Sequence, residues 1–511
     1  EFYTYLWFLY RISVKLDFET ADFFANFATK INDAMTSKLI ARQKECGQLE
    51  KCLASDESEF VIVVGRRRIG KTFLIEQFFN KTYDFKFVGG HNLGYAEQLA
   101  NFAKALQKYS KKPVGQFKDW IEAFDALEEY LEGLPTGRKK VVFIDEMPWI
   151  DSQRSDFVRS FEYFWNSWAA SQEDIVLIAT GSSTSWMVEN IIENRGGLHN
   201  RVTERIYLKP FTLGETQEYL SRRRFPRDRY QTLQYYMLTG GVPYYLSLLD
   251  SHESVAQNID RLCFDPKGQL RMEFDDLYNA LFFNAQSYVS VVKLLAEHKS
   301  GLTRKEIADK LKITGTTLSG VLRNLERSDF IALHKQYGNK KRGKIYRLVD
   351  FYTLFYYKFI EPDVSKDSQW WSHNLSSQSI KSWMGLTFEL ICIEHHNQIK
   401  HALGIGGIAT KVSTWRITGD KESGTPGAQV DMVIERADRL IHLFEMKFSE
   451  KKFTLTKEYE KKVRERLWLF QESTKTNKGV VQTFVTTYGL SNPADWGIVH
   501  SELTMDDLFN S

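Results

Sequence analysis

VIVVGRRRIGKTFLIEQFF, residues 61–79, decides the fold of the first part of the chain. Four β-forming residues lead into G-x-x-x-x-G-K-T, and an apolar helical pattern follows. Strand, glycine-rich turn and helix N-terminus in that order predict a phosphate-binding loop. Gly65 and Gly70 let the backbone curl so that its N–H groups face an anion, and the helix dipole adds to that field. Lys71 is expected to reach the β- and γ-phosphates, and the Thr72 hydroxyl to hold Mg²⁺. Arg66, Arg67, Arg68, Ile69 and Phe73 complete the stretch expected to line the nucleotide.

Two further strands fit the same sheet. KKVVFIDEMPWI, 139–150, ends its apolar run in Asp145 and Glu146. This is the Walker B pattern: the first acid orients the Mg²⁺ shell and the second polarises the attacking water. The competing reading is a pair of helix-capping carboxylates. DIVLIATGSS, 174–183, ends in Thr180, Gly181, Ser182 and Ser183. A polar residue there, on a strand beside the phosphate loop, can sense the γ-phosphate. Strands alternating with helices predict a parallel sheet with its site at the strand C-termini. Trp149, Trp165 and Trp168 read as packing residues.

The succession LIARQKECGQLEKCL, GRRRIGKT, VVFIDE, IATGSS and LTGGVPYYL resembles AAA+-related ATPases. It is most similar to the archaeal-type branch related to the signal-transduction ATPases with numerous domains. The resemblance implies ATP or ADP as ligand with Mg²⁺, and places Ile40, Arg42 and Glu45 near the adenine. It maps the lid glycines and proline onto Gly240, Gly241 and Pro243. It also gives Arg201 the place of an arginine that contacts γ-phosphate, although Asn200 replaces the usual glycine; the alternative is a surface arginine. No lid arginine of the ring-motor kind stands out, which favours a slow nucleotide switch.

The bulk numbers bound the rest. The 511 residues allow three or four domains, and 43% hydrophobic and 14% aromatic content supports substantial cores. A net charge of +3 announces no global polyanion binder, so any nucleic-acid surface is local. Cys46, Cys52, Cys263 and Cys392 show no metal-type spacing and read as reduced thiols of a cytoplasmic protein. EFYTYLWFLY is too short to span a bilayer, and no longer apolar run suggests a membrane role. Residues 1–35 read as an upstream arm, native or introduced, with Met35 opening the first interpretable segment.

The remaining divisions are a core over 36–215, a helical lid over 216–285, and a winged helix with an aromatic connector over 286–362. The winged helix is read from YVSVVKLLAEH, LTRKEIADKLKI and GTTLSGVLRNLERSDF, followed by strands IALHKQY and KIYRLV. Thr316 and Thr317 open the third helix, which carries Arg323 and Asn324. Lys340, Lys341, Arg342 and Lys344 could follow a phosphate backbone. Against that stand a solvated hairpin tip and a module that only transmits nucleotide state. FYTLFYYKFIEP, 351–362, is too aromatic for a solvated linker and predicts a buried helix.

The last segment, 363–511, holds GTPGAQVDMVIERADRLIHLFEMKFS. Two strands flank the tight turn RADR; if Asp431 sits opposite Glu445, the hairpin centres on Asp438 and Lys447 comes to the same place. An acid and a lysine two apart in an apolar strand are either a structural ion pair or a reactive site. Asp, then Glu-x-Lys on the next strand, resembles the PD-(D/E)XK nuclease superfamily, with Glu389 as the upstream helical acid and Val430 where proline is common. The resemblance implies Glu389, Asp431 and Glu445 as ligands of Mg²⁺ or Mn²⁺. Such a metal would activate a water, and Lys447 would support the nucleophile or the developing charge. His395 and His396 read as helix-surface residues, and KEYEKKVRERLW, 457–468, as a solvated helix face or a DNA guide.

Over about residues 36–511 the pattern resembles bacterial proteins that join an archaeal-type ATPase to a restriction-endonuclease-like α/β domain. The expectation is a multidomain α/β protein in which ATP controls a DNA nuclease, with homo-oligomerisation open and protein partners unidentified. The alternative is an ATP-dependent DNA-binding or signalling switch whose nuclease-like domain is silent.

Overall fold

The computed structural model describes residues 39–152, 155–194, 196–282, 284–313, 315–338, 344–417, 419, 427–491 and 497–510. The upstream arm and the wing residues Lys340, Lys341 and Arg342 fall outside them. The chain divides into two compact units between Lys209 and Pro210.

The first unit is a five-stranded parallel sheet of β1 (Glu59–Val64), β2 (Phe85–Val88), β3 (Lys140–Asp145), β4 (Ile175–Gly181) and β5 (Glu204–Tyr207), in the order β2-β3-β4-β1-β5. Its strands are continuous apolar runs because both faces are covered. On one face Val61, Val63, Phe143 and Ile178 pack against α1 (Gln43–Ala54) and α2 (Lys71–Phe78). On the other, Phe60, Ile62, Val142 and Leu177 meet α3 (Tyr95–Ser110), α4 (Trp120–Glu132) and α5 (Phe157–Ser167). Trp165 and Trp168 are buried in that second cluster, and each such side chain contributes about 2 kcal/mol through lost water contact. β4 lies between the other two motif-bearing strands, so β1, β3 and β4 deliver Gly65, Asp145 and Ser182 to one edge of the sheet.

The second unit opens with α6 (Leu213–Arg222), α7 (Arg229–Thr239) and α8 (Gln269–Leu281). Between α7 and the short helix Pro243–Ser247, Gly240 and Gly241 take φ of +57° and +69°. A Cβ on Gly241 would stand 2.1 Å from the Phe211 carbonyl oxygen, so only glycine fits this approach.

α9 (Ala285–Glu297), α10 (Arg304–Leu311) and α11 (Gly315–Arg327) come next. With them goes a three-stranded antiparallel sheet of β6 (Leu302–Thr303), β7 (Ile331–His334) and β8 (Ile345–Leu348), ordered β6-β8-β7. Asn324 donates to the Tyr288 hydroxyl at 2.9 Å, so it is spent inside this module rather than offered to bases. The aromatic connector is buried: Phe355 and Phe359 pack edge-on to Trp383, and Phe359 does so to Trp371.

α12 (Gln378–Glu394) precedes a mixed sheet of β9 (Thr410–Ile417), β10 (Ala428–Arg436), β11 (Leu440–Lys447), β12 (Gly479–Thr486) and β13 (Val499–Thr504), ordered β13-β12-β11-β10-β9. β9, β10 and β11 run antiparallel, whereas β11, β12 and β13 run parallel. The β11-to-β12 crossover is α13 (Lys457–Thr474), and Leu469 and Phe470 on it cover Ile441 and Leu443. No helix among the described residues is long and apolar enough to cross a membrane.

Candidate functional site

The phosphate loop folds as its glycines require. Gly65 has φ +151°, and a Cβ there would stand 2.4 Å from the Leu208 carbonyl oxygen. Gly70, with φ +84°, caps the N-terminus of α2. Lys71 is only 5% exposed, and its ammonium donates to the carbonyls of Gly65 (3.0 Å) and Arg66 (3.1 Å) and to Ser182 Oγ (3.2 Å). Burial pushes its pKa down to about 8, with Glu146 and Asp145 opposing that shift.

Thr72 Oγ1 donates to Asp145 Oδ1 at 3.0 Å, and Thr180 Oγ1 donates to the same oxygen. Burial raises the Asp145 pKa, while those hydroxyls lower it. Glu146 accepts from the Ser182 amide at 2.9 Å and from its hydroxyl. Ser182 therefore ties Lys71 to Glu146 across β4. The Thr72 hydroxyl and the Asp145 carboxylate are donors of the kind a magnesium ion takes alongside phosphate oxygens and water.

The other residues expected near the nucleotide are dispersed. Ile69 is 1% exposed inside the apolar cluster behind the loop, whereas Phe73 is 52% exposed. Arg66 is buried, Arg67 and Arg68 are half-buried, and Arg68 takes φ +76°. Arg42 is buried and donates to the Lys209 carbonyl at 2.9 Å, and Ile40 is half-buried just before it. Pro243 lies in the second unit.

Arg201 is corrected as a γ-phosphate contact of its own chain. It precedes β5, whose Glu204 pairs with Val61, and the Thr203 amide bonds to the Phe60 carbonyl. It therefore stands at the N-terminal edge of the sheet. At a rise of about 3.3 Å per residue, the length of β1 sets it roughly 15–20 Å from the phosphate loop.

The second set gathers in the other unit. Val433 pairs with Leu443 and Ile434 with His442, a register centred on Asp438, and β10 then bulges between Val430 and Val433, at Asp431. Glu445 is 4% exposed and fully engaged: Lys447 Nζ lies 2.9 Å from Oε1, which also accepts from the Tyr459 hydroxyl, while Arg466 pairs with Oε2. Burial pushes the Glu445 pKa up, but Lys447, Arg466 and Tyr459 override it and hold the group below its ordinary value.

Asp431 Oδ1 accepts from Arg347 Nη2 at 2.8 Å and from Gln429 Nε2 at 2.6 Å. Glu389, on α12, has its pKa raised to about 7 by burial and then by Asp431, with Lys447 opposing and Glu445 adding. Those interactions bring Glu389, Asp431, Glu445 and Lys447 to one locality. Among the described residues, however, no three acid, histidine or cysteine side chains form a ready-made metal cage. Two carboxylates with substrate oxygens and waters still suffice for Mg²⁺.

Tyr459, Arg466 and Arg347 were missed from sequence. A signal existed for the first two: Tyr459, Val463, Arg466 and Phe470 lie three or four apart on one helix face, and Val463 and Phe470 are buried. An arginine in that apolar series needs a buried partner. The solvated-face reading of 457–468 therefore holds only for the rest of the helix. His395 is also corrected. It is 2% exposed, with Nδ1 donating to the Ile391 carbonyl (2.8 Å) and Nε2 accepting from the Leu213 amide (3.0 Å).

Residues 39–249 match the family model of an ATPase domain predominantly from Archaea, a span that runs past Lys209 into the second unit. An uncharacterized protein of Methanocaldococcus jannaschii, MJECL04, is 26% identical over 339 residues, covering 64% of this chain and 70% of that protein. The Walker-type ATPase PABY2304 of Pyrococcus abyssi is similar in structure at a TM-score of 0.47 and 18% identity, over 63% of this chain and 97% of that one. The ORC2 protein of Aeropyrum pernix follows at 0.39 and 13%, over 66% and 95%. Structural likenesses of this size say nothing of activity. The family match and the loop geometry agree: residues 39–249 are a P-loop ATPase domain of archaeal type.

Proposed function

We propose that the protein binds ATP with Mg²⁺ in its first unit and hydrolyses it, and that the nucleotide state controls a metal-dependent DNA nuclease in its second unit. Lys71 holds the β- and γ-phosphates, Thr72 and Asp145 hold the magnesium ion, and Glu146 orients the attacking water. Ser182, bonded to both Lys71 and Glu146, would report whether a γ-phosphate is present. In the second unit Glu389 and Asp431 are the carboxylates with capacity left for a metal. The metal would supply Lewis acidity at a phosphodiester. Lys447 would steady the pentacovalent phosphorus as a water oxygen adds and gives up a proton to solvent, the bond to one sugar oxygen breaks, and that oxygen takes a proton from solvent. The observation that carries this reading is the convergence of three acids and a lysine from α12, β10 and β11.

The saturation of Glu445 favours a second reading, in which the domain is silent and the chain is an ATP-dependent switch. One experiment separates them. The full chain is incubated with plasmid and single-stranded DNA in Mg²⁺ or Mn²⁺, with no nucleotide, with ATP or with a non-hydrolysable analogue, beside Lys447→Ala. Cleavage that changes with nucleotide and vanishes in the variant supports the nuclease. Cleavage at an equal rate in the variant, or none from ATP-binding protein, sinks it.

A further inference from the structure

Glu445 and Asp431 are already matched by cations before any metal or substrate arrives. Lys447 and Arg466 pair with Glu445, and Arg347 pairs with Asp431. When Glu389, whose pKa is pushed up to about 7, is ionised, three carboxylates face three cations. A divalent metal added to this balanced, half-buried set would leave two positive charges in excess. Uncompensated charge in a desolvated site is costly, and an anionic ligand arriving with the metal reduces it. Lys447 and Arg466 belong to the mixed-sheet domain that carries the acids. Arg347 belongs to β8 of the preceding helix-and-hairpin module.

The module is bonded to the sheet it serves. The Tyr337 amide donates to the Thr414 carbonyl at 2.7 Å and the Thr414 amide to the Lys335 carbonyl at 2.9 Å, so the chain after β7 extends β9. Tyr337 packs on Phe470 with ring centroids 5.0 Å apart, and Glu306 reaches Arg416 at 3.8 Å. Arg347 is placed by this docking and by its own Nε, which donates to the Ser300 carbonyl at 3.3 Å. Its side chain is 9% exposed, whereas Asp431 keeps 27% open. A guanidinium has five N–H donors, and Nη1 of Arg347 is engaged by none of the described contacts.

We infer that Arg347 is a phosphodiester-binding residue of the acid–lysine site, supplied by the hairpin module. The module is then a working wall of that site rather than a separate reader of DNA. This rests on the nuclease reading for the identity of the ligand, but it requires anion binding, not turnover. His334, two residues from Ala332, the partner of Arg347 on the hairpin, has an Nε2 that is buried without a hydrogen bond and would gain a partner from the same ligand.

The test uses the full chain and a fluorescein-labelled single-stranded 12-mer with Ca²⁺ as the divalent metal and no nucleotide, so that affinity is read with a metal present, and a gel of the same samples verifies that the 12-mer is uncut. Arg347→Met is expected to weaken binding about ten-fold and to lower the log–log salt slope by about 1, as for loss of one phosphate contact. Arg347→Lys keeps the charge and should recover most of both, which separates anion binding from a merely structural role. Unchanged affinity and slope in Arg347→Met, or no binding by the unsubstituted chain, overturns the inference. So does faster cleavage by Arg347→Met in Mn²⁺, because Arg347 would then be a clamp on Asp431. A chain in which Lys447→Ala abolishes cutting while Arg347→Met binds normally keeps the nuclease and loses Arg347. A chain that never cuts but depends on Arg347 for binding does the reverse.

Discussion

Glu445 should be the most costly single polar residue to neutralise in the second unit. It is 4% exposed, and its two oxygens meet an ammonium at 2.9 Å, a guanidinium and a phenol. Glu445→Gln removes the carboxylate that Lys447 and Arg466 share, leaving Glu389 and Asp431 as the remaining acids of the locality. Two unit charges about 4 Å apart interact by roughly 4 kcal/mol at an effective dielectric of 20. Both cations are a little over a quarter exposed, which discounts that figure. A loss of about 3 kcal/mol is therefore expected, within the usual cost of breaking a buried pair. Lys447→Met removes one of three partners and leaves Arg466 to balance the acid, so it should cost about 1–2 kcal/mol. Hydrogen exchange of the β11 amides reads both on the full chain without requiring global two-state unfolding. Because the Glu445 pKa is held below its ordinary 4.5, its contribution is fully present above that value and lost as pH falls below it. The part of the difference carried by Glu445 should therefore shrink in acid, below about pH 4.5, while Glu389, pushed up to about 7 and coupled to both residues, adds a separate step near neutrality. A smaller loss for Glu445→Gln than for Lys447→Met, or a loss under about 1 kcal/mol, would refute the ion cluster.

Two further outcomes follow, one from the first unit and one from the start of the second. Burial lowers Lys71 to about pKa 8, whereas bound phosphate favours its charged form. ADP binding should therefore take up a proton above about pH 8 and weaken by up to about ten-fold per pH unit beyond it. Calorimetry in two buffers of different ionisation enthalpy measures that uptake, and none at about pH 9 would contradict the assignment. Gly241→Ala places a methyl 2.1 Å from the Phe211 carbonyl oxygen at φ +69° and should destabilise the helices on either side of it, Arg229–Thr239 and Pro243–Ser247, by more than about 2 kcal/mol, read by urea unfolding.

What was legible from sequence depended on how local the signal was. The phosphate loop needs its glycines, lysine and threonine within eight positions, so one window displays the whole device. Thr180 and Ser182 could be placed beside it because a parallel sheet brings apolar strand ends to one edge, and β4 does lie next to β1. The turn centred on Asp438 was readable for a similar reason: two alternating strands and a short turn leave little freedom of register. Arg201 failed because a motif position carries no direction. Only the pairing of Glu204 with Val61 shows which edge of the sheet it occupies.

The acid–lysine set shows where such reading stops. That Glu445 and Lys447 would touch follows from their spacing, but whether they form a structural pair or a reactive one depends on what else reaches them. Arg466 is 21 positions away and Arg347 is 84 positions from Asp431, and neither separation has a sequence signature. Arg466 could be suspected from its place in an apolar helix face. Arg347 could not, because in β8 it looks like any basic residue of a short antiparallel strand. Its partner is set by the docking of that hairpin along β9, a tertiary choice made by backbone bonds at Thr414 and by the Tyr337–Phe470 contact. The two readings of Glu445 and Lys447 are therefore compatible. A charge-balanced cluster can hold the empty domain together and, when a metal and a phosphodiester arrive as a pair, exchange its internal partners for them at little net electrostatic cost.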